Sequence, residues 1–567
     1  MHLRLKCKDL NEINWIPEIE EYLILNKNQS PFLVSPFCKH ENTRLPFLKD
    51  GTSTIKCPKH GWILDLKTGT YVNPKGIVQT QSKYKVFLNN DFIEIKSDYE
   101  INKQNTINIF KNKKKSILKN ELNFKFINHA CFLISTPNVK LITDPWLIGP
   151  SFCTGWFLKY KTKSEYIKEI LNTKYAFISH SHPDHLNPAT LIWLKSIGWN
   201  PVFIIPVFKK KDITKNMLEN IGFKDFIELK RGEIADLDEE KNFKIQLIFD
   251  NSGRNDSGIL INYKNINILN LVDIPSPEIE NIKEIDLALL PFANGASGYP
   301  VCWEGIMSKE AIIEYKKKSN LSEIGLFYER AKKISPKAVV PFAGYFFTPL
   351  PEDKEVNNLN FKNSPNDVIS KKNITNRFKI INPIKGIRFN YKIGEFEQIK
   401  KEKQLPSEIN LAMEFRDLLV ERYDNFSIEE LINFIEIQKF NSNILVKFEA
   451  SNIERNKTHW TLYWDFGKGI RINKEEFNER SKNDKYNNLC ILVRRYALGY
   501  TIRNSLPWEE FSIGFQALFT RSPNIYNFNF WDYFQNEYKY NLPILGDFNK
   551  FYKESSRLKD LLSKYIN

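Results

Sequence analysis

Ala176-Phe177-Ile178-Ser179-His180-Ser181-His182-Pro183-Asp184-His185 is an apolar run ending in four metal-binding side chains within six residues. The apolar half reads as a buried strand, and the polar half as the loop that stops it. The chain has only eight histidines, and three of them are in this loop, so an accidental polar loop explains it poorly. Imidazole and carboxylate donors packed this closely suit a transition-metal site.

In the metallo-β-lactamase fold a loop of this form presents His180 and His182 to one metal, and Asp184 and His185 to a neighbouring one. The flanking sequence is similar to the same superfamily. Asn128-His129-Ala130-Cys131 and Leu141-Ile142-Thr143-Asp144-Pro145-Trp146 resemble its opening strands, with Asp144 orienting the metal loop. Asp273 follows the apolar segment Leu269–Val272 and matches the later acidic ligand, often a bridging one. Helical and strand patterns alternate to about residue 345, which argues for α/β layers.

A second cluster precedes the first. Cys38-Lys39-His40 is followed, after sixteen residues, by Cys57-Pro58-Lys59-His60. In a Rieske [2Fe–2S] centre two thiolates hold one iron and two imidazoles the other, so each loop must supply one of each. Zinc motifs usually pair Cys with Cys and His with His, and the alternating order disfavours zinc. Short alternating strands punctuated by Gly, Pro and Asn surround the cluster, as expected of a small all-β domain.

These assignments use five histidines and leave His2, His129 and His459. A two-zinc hydrolase needs two further histidines, but Leu247–Asp256 and Val340–Tyr345 contain none. The five core residues His180, His182, Asp184, His185 and Asp273 suffice for one iron, and for a second only with help from other groups. His129 is read as a hydrogen-bonded core histidine at a strand end, with a ligand or acid/base role as the alternative. Iron is the expected core metal, because an electron donor beside redox-inert zinc would have nothing to reduce.

At 567 residues, and about 150 residues per domain, the chain is expected to form roughly three or four domains. We expect an α+β multidomain protein: an N-terminal all-β Rieske domain (1–100), a polar linker (101–120), an αββα metallo-β-lactamase-like domain (121–375) and a mixed C-terminal region (376–567) completing the catalytic domain. The opening residues lack the apolar core of a signal peptide, and no stretch approaches the ~18 apolar residues of a membrane span. Seven scattered cysteines do not make a disulfide scaffold. The expectation is a cytoplasmic protein without membrane insertion. The net charge of +15, from 82 Lys plus Arg against 67 Asp plus Glu, reads as a solvated basic surface or as a field for an anionic substrate or acidic partner. No nucleic-acid-binding motif accompanies the charge, so nucleic acid is not an expected partner.

The combination resembles the CMP-N-acetylneuraminate hydroxylase family. The likeness extends through Asp144–Pro150, Gly155–Phe157, Phe292–Pro300, Pro341–Phe346, Asn363–Asp367, Leu506–Glu510, Ile513–Gln516 and Arg521–Tyr526 with Phe530-Trp531, and is weakest over 380–480. It implies a monooxygenase that hydroxylates the N-acetyl methyl of a nucleotide sugar, CMP-N-acetylneuraminate first among them. It also implies O2, one or two non-haem irons, and a small electron carrier, cytochrome b5-like or a ferredoxin, with its NAD(P)H reductase. The alternatives are an oxygenase acting on a different N-acetylated nucleotide sugar, a metallo-β-lactamase-fold hydrolase with a regulatory Rieske domain, and a non-catalytic electron-transfer protein. Asn294, Ser297 and Tyr299 of the glycine-rich loop, together with Arg494, are the candidate substrate contacts, where backbone N–H groups and a guanidinium would meet phosphate or carboxylate.

Overall fold

The computed structural model describes residues 2–19, 21–25, 30–39, 44–48, 52–57, 61–73, 75–79, 84–89, 91–97, 121–208, 211–294, 296–371, 378–399, 404–483 and 485–566. The expected linker 101–120 and the expected cluster ligands His40 and His60 lie outside these residues. The chain divides into two compact units. One comprises 1–108 with the short segments 250–254 and 524–528, and the other comprises the remainder.

The first unit is all-β. Thr54–Lys56, Ile63–Asp65, Thr70–Asn73 and Lys75–Val78 form an antiparallel sheet, and Ile13–Ile16, Glu21–Ile24 and Phe32–Val34 form another. A third sheet pairs His2–Lys6 with Phe92–Ser97 and Tyr84–Asn89. Tyr22, Ile24, Val34, Ile55, Leu64 and Tyr71 build a core that includes Cys38, Cys57 and Trp62, while the alternate residues Leu23 and Leu33 join a second core. The apolar faces of the first two sheets thereby bury the two cysteines.

The larger unit holds two sheets that share a plan. In the first, the hairpin Asn123–Asn128/Cys131–Ser135 leads to Lys140–Thr143, from which Tyr175–Phe177, Val202–Pro206 and Phe226–Leu229 continue in parallel. In the second, antiparallel strands Ile234–Asp236, Phe243–Phe249 and Ser257–Tyr263 lead to Ile266–Asn270. Leu287–Pro291, Ala338–Phe342 and Lys379–Ile380 then follow in parallel. The parallel strands are apolar nearly throughout, as strands covered on both faces must be. The helices Ser164–Leu171, Pro188–Ser196, Thr214–Ile221 and Lys309–Ile334 lie in the crossovers. Asp144, His180 and Asp273 all follow the C-terminal ends of these strands, where open α/β sheets place their sites.

The C-terminal part is a five-stranded sheet in the order Ile470–Ile472, Thr458–Asp465, Ile444–Ser451, Asn487–Arg494 and Ala517–Ser522, accompanied by helices such as Ile409–Tyr423 and Arg495–Arg503. Leu411, Phe415, Leu419, Tyr496 and Tyr500 from these helices join the same apolar core as Ile142, Ile178 and Leu191, so this region packs into the larger unit. Its approach to the metal loop depends on two glycines. A Cβ on Gly155 would overlap the Gly514 carbonyl, and one on Gly514 would overlap the Phe152 carbonyl. That close backbone crossing sets the short helix Glu509–Ser512 beside His182.

Candidate metal centre

The metal loop is held from both sides. Asp144, at a left-handed φ of 36°, accepts the Ser179 N–H at 2.8 Å through Oδ1 and lies 3.1 Å from His185 Nδ1 through Oδ2. Ser257 donates to the Ser179 carbonyl at 2.7 Å. Behind the loop, Asn187 caps the helix Pro188–Ser196 by accepting from Thr190 N–H, and donates to the Pro183 and Pro150 carbonyls. The helix is buried over its first seven residues, so the loop cannot shift without disturbing the core.

Two sets of donors result. His180 Nε2 is 2.8 Å from His182 Nδ1 and 3.9 Å from Asp273 Oδ1. His185 Nε2 is 3.4 Å from Asp184 Oδ2 and 3.7 Å from Asp273 Oδ2, and His129 Nε2 is 3.1 Å from the same Asp184 oxygen. Donors about 2.1 Å from a common ion lie roughly 3 to 3.5 Å apart. Asp273 therefore has one oxygen facing each set. His185 Nε2, Asp184 Oδ1 and Asp273 Oδ1 are buried without hydrogen-bond partners, a costly arrangement that a bound cation would relieve. The residues fit a metal.

The protonation pattern carries the same message. Burial, with His185 and His182 nearby, holds His180 down to about 3. Burial also opposes charge on His182 and His185, but carboxylates prevail: Glu509 lifts His182 to about 9, and Asp184 and Asp273 raise His185 well above the usual range. The buried Asp184 and the partly exposed Asp273 remain ionised, through His185 in one case and His180 in the other. Protons here occupy the places a cation would take.

His129 is the residue that sequence reasoning undervalued. It occupies the turn between Asn123–Asn128 and Cys131–Ser135 at a φ of 40°, a region in which histidine is enriched. Its carbonyl accepts from Ala343 N–H, so it sits beside the Val340–Tyr345 stretch, where a late histidine was looked for and not found. The opening hairpin thus places an imidazole beside Asp184 and His185. Glu509 was also missed. It lies within the quoted Leu506–Glu510 likeness, and its Oε2 is 3.1 Å from His182 Nε2. Asp256, buried at the end of the Leu247–Asp256 stretch, adds a further negative charge felt by His182.

The other expected residues are placed as follows. Cys38 and Cys57 are buried in one core and are not joined in a disulfide. The Tyr71 hydroxyl is within hydrogen-bond reach of Cys38, accepts from Lys39 N–H at 2.9 Å and donates to Gln79 at 3.0 Å. Two buried soft donors without a disulfide suit the thiolate half of a cluster. Asn294 is buried and donates to Asn320 at 2.9 Å, Ser297 accepts from Tyr299 N–H, and Tyr299 packs against Trp303 and Tyr315. Arg494 is fully buried, bidentate to Asp353, and bonded to Gln516 and the Ile453 carbonyl. Four of its donors are occupied internally, so the structure gives it a core ion pair rather than a clamp on substrate. His459 lies in the strand Thr458–Asp465.

Known proteins share both halves. A Rieske [2Fe–2S] domain model matches residues 12–83, and a β-lactamase superfamily domain model matches residues 123–245. The cytidine monophosphate-N-acetylneuraminic acid hydroxylase of Asterias rubens is 26% identical over 528 residues, covering 88% of this chain and 78% of that protein. The protein of the same name from Mus musculus is 26% identical over 557 residues, 91% of each. The chain is similar to these hydroxylases along most of its length. A solved diiron β-hydroxylase from Streptomyces venezuelae is 15% identical and covers 40% of this chain and 45% of its own, at a TM-score of 0.28. The chain is an α+β protein in which a Rieske domain precedes a β-lactamase-fold domain.

Proposed function

We propose that the protein is a Rieske-type iron monooxygenase that hydroxylates the N-acetyl methyl of a nucleotide sugar, with CMP-N-acetylneuraminate as the preferred substrate. The observation that carries the reading is the pairing, in one chain, of a Rieske domain with a core donor set of four imidazoles and two carboxylates that lacks the later histidines of a two-zinc hydrolase. Cys38, His40, Cys57 and His60 are proposed to hold the [2Fe–2S] cluster. His180, His182 and Asp273 are proposed to hold one non-haem iron, and His129, Asp184, His185 and Asp273 a second.

A bound cluster and iron would supply single-electron delivery and O2 activation, so that a methyl C–H, O2, two electrons and two protons become one C–O–H and one water. The chain's residues set the conditions. Asp144 and Ser257 fix the loop, and Glu509 orients His182 through its outer nitrogen, as carboxylates do for metal-bound imidazoles. Trp146 and Phe346 pack on His129, and Phe152 on His182, which walls the donors with aromatic rings and restricts water.

Electrons come from a small acidic carrier of the cytochrome b5 or ferredoxin kind, itself reduced by an NAD(P)H reductase, and the net charge of +15 favours such a partner. Among the described residues no helix is long and apolar enough to cross a membrane. The test is turnover of CMP-N-acetylneuraminate to the N-glycolyl product by the iron-loaded protein with a reductant. Product without reductant, or none with it, contradicts the reading.

A further inference from the structure

Lys362 lies where the fold has little reason to keep a cation. Its Nζ sits 3.3 Å from the centroid of the Phe346 ring and 5.9 Å from that of Trp156, with the Phe346 carbonyl at 3.3 Å. Among the described residues no carboxylate is within ion-pair distance of it. The charges of Lys316, itself buried on the helix Lys309–Ile334, and of Lys159 reach it instead. Burial first, and then those two cations, push the Lys362 ammonium well below the usual lysine range. An ammonium gathered with like charges over apolar rings is unfavourable unless an anion joins it.

A second observation points to the same spot. The Trp156 indole is 2% exposed, and its Nε1–H has no hydrogen-bond partner. It stacks on Phe346 at 3.8 Å, beside Lys362. A buried orphan N–H therefore lies beside an ammonium whose acceptor is a single neutral carbonyl and which has no carboxylate partner among the described residues.

The position relates directly to the chemistry. The Phe346 ring meets His129 edge-on at 5.7 Å between centroids, and Trp156 leads through Phe152 to His182. The segment carrying Lys362 is pinned by Asn363, which donates to the carbonyls of Phe292 and Asn320. Asn320 in turn accepts from Asn294 of the glycine-rich loop. Three asparagines from three segments therefore fix the lysine relative to that loop.

We propose that Lys362 and Trp156 Nε1, with Lys316 close by, form an anion subsite that binds a phosphate or carboxylate oxygen of the substrate one aromatic layer from the metal donors. The proposal rests on the nucleotide-sugar reading for the identity of the ligand and not for the existence of the subsite. A charge-assisted hydrogen bond of this kind is worth about a 10- to 100-fold change in affinity.

The test is calorimetric binding to the iron-loaded protein, kept anaerobic, of wild type, Lys362→Met and Lys362→Arg. The probes are CMP-N-acetylneuraminate, CMP, N-acetylneuraminate and inorganic phosphate. The methionine variant keeps the apolar stem on the rings, and iron content and cluster absorbance verify folding. Lys362→Met should weaken CMP-N-acetylneuraminate binding by about 10- to 100-fold, raising KM more than it lowers kcat, and Lys362→Arg should restore much of the loss. A parallel loss for CMP assigns the phosphate, and a parallel loss for N-acetylneuraminate assigns the carboxylate. If wild type ignores CMP-N-acetylneuraminate yet binds phosphate or CMP in a Lys362-dependent way, the subsite stands and the substrate reading falls. If Lys362→Met leaves every affinity unchanged, or wild type binds none of the four, the subsite is refuted.

Discussion

Replacing His129 by asparagine removes one imidazole from the second donor set while keeping a residue that tolerates its φ of 40°. His129 Nε2 is 3.1 Å from Asp184 Oδ2, which lies 3.4 Å from His185 Nε2, and Asp273 Oδ2 closes the set at 3.7 Å. Four-donor protein sites bind their metals with about 10–16 kcal/mol, so one donor in four is worth roughly 3 kcal/mol. That corresponds to about a 100-fold weaker affinity at this position. The assay is anaerobic Fe(II) loading against a competing chelator, with iron counted per chain and the Rieske absorbance followed separately. The weaker core position should empty at about 100-fold lower chelator concentration, with the cluster and far-ultraviolet dichroism unchanged. Unaltered core-iron retention would refute the assignment and leave His129 a hydrogen-bonded core histidine.

Tyr71→Phe removes, beside the Cys38 sulfur, a hydroxyl that donates to Gln79 and accepts from Lys39 N–H. Losing those two bonds should cost about 1–3 kcal/mol in denaturant unfolding, and an unchanged midpoint would show that the hydroxyl does not hold the thiol core. Gly514→Ala should separate the 152–155 and 509–514 segments, and the loss of the Glu509–His182 contact should appear as weaker core-metal binding than in wild type under the same chelator. Asp353→Asn leaves the buried Arg494 guanidinium uncompensated and should cost about 3–5 kcal/mol in denaturant unfolding without a selective effect on KM. Burial lifts the Glu510 carboxyl to about 8 from an ordinary 4.5. Its contribution to stability is complete below pH ~4.5 and is lost as pH rises through about 8. Glu510→Gln, which still accepts the Cys153 N–H, should therefore flatten the fall in melting temperature over that range; an unchanged profile would show that Glu510 does not titrate there.

Much of the architecture was legible because the motifs carry their own geometry. The apolar run into His180–His185 reads as a strand that stops at the loop, and the strand Tyr175–Phe177 is there. Asp144 was expected to orient that loop, and it holds both Ser179 N–H and His185 Nδ1. What sequence could not show was proximity between distant segments. His129 sits 55 residues before Asp184, and only the fold shows that its imidazole lies beside that carboxylate. Glu509 reaches His182 across 327 residues because two glycines let backbones cross. Arg494 illustrates the converse: its charge suggested a ligand clamp, but Asp353, 141 residues away, takes it into the core.

The central claim is that electrons from a Rieske cluster serve iron, not zinc, held by His180, His182, Asp184, His185, Asp273 and His129. The most direct measurement is metal counting on anaerobically purified protein, coupled to reductant-dependent O2 uptake with CMP-N-acetylneuraminate. The account predicts core iron beyond the cluster's two, and O2 consumed in step with N-glycolyl product. Zinc in the core, with no O2 uptake under reducing conditions, would contradict it.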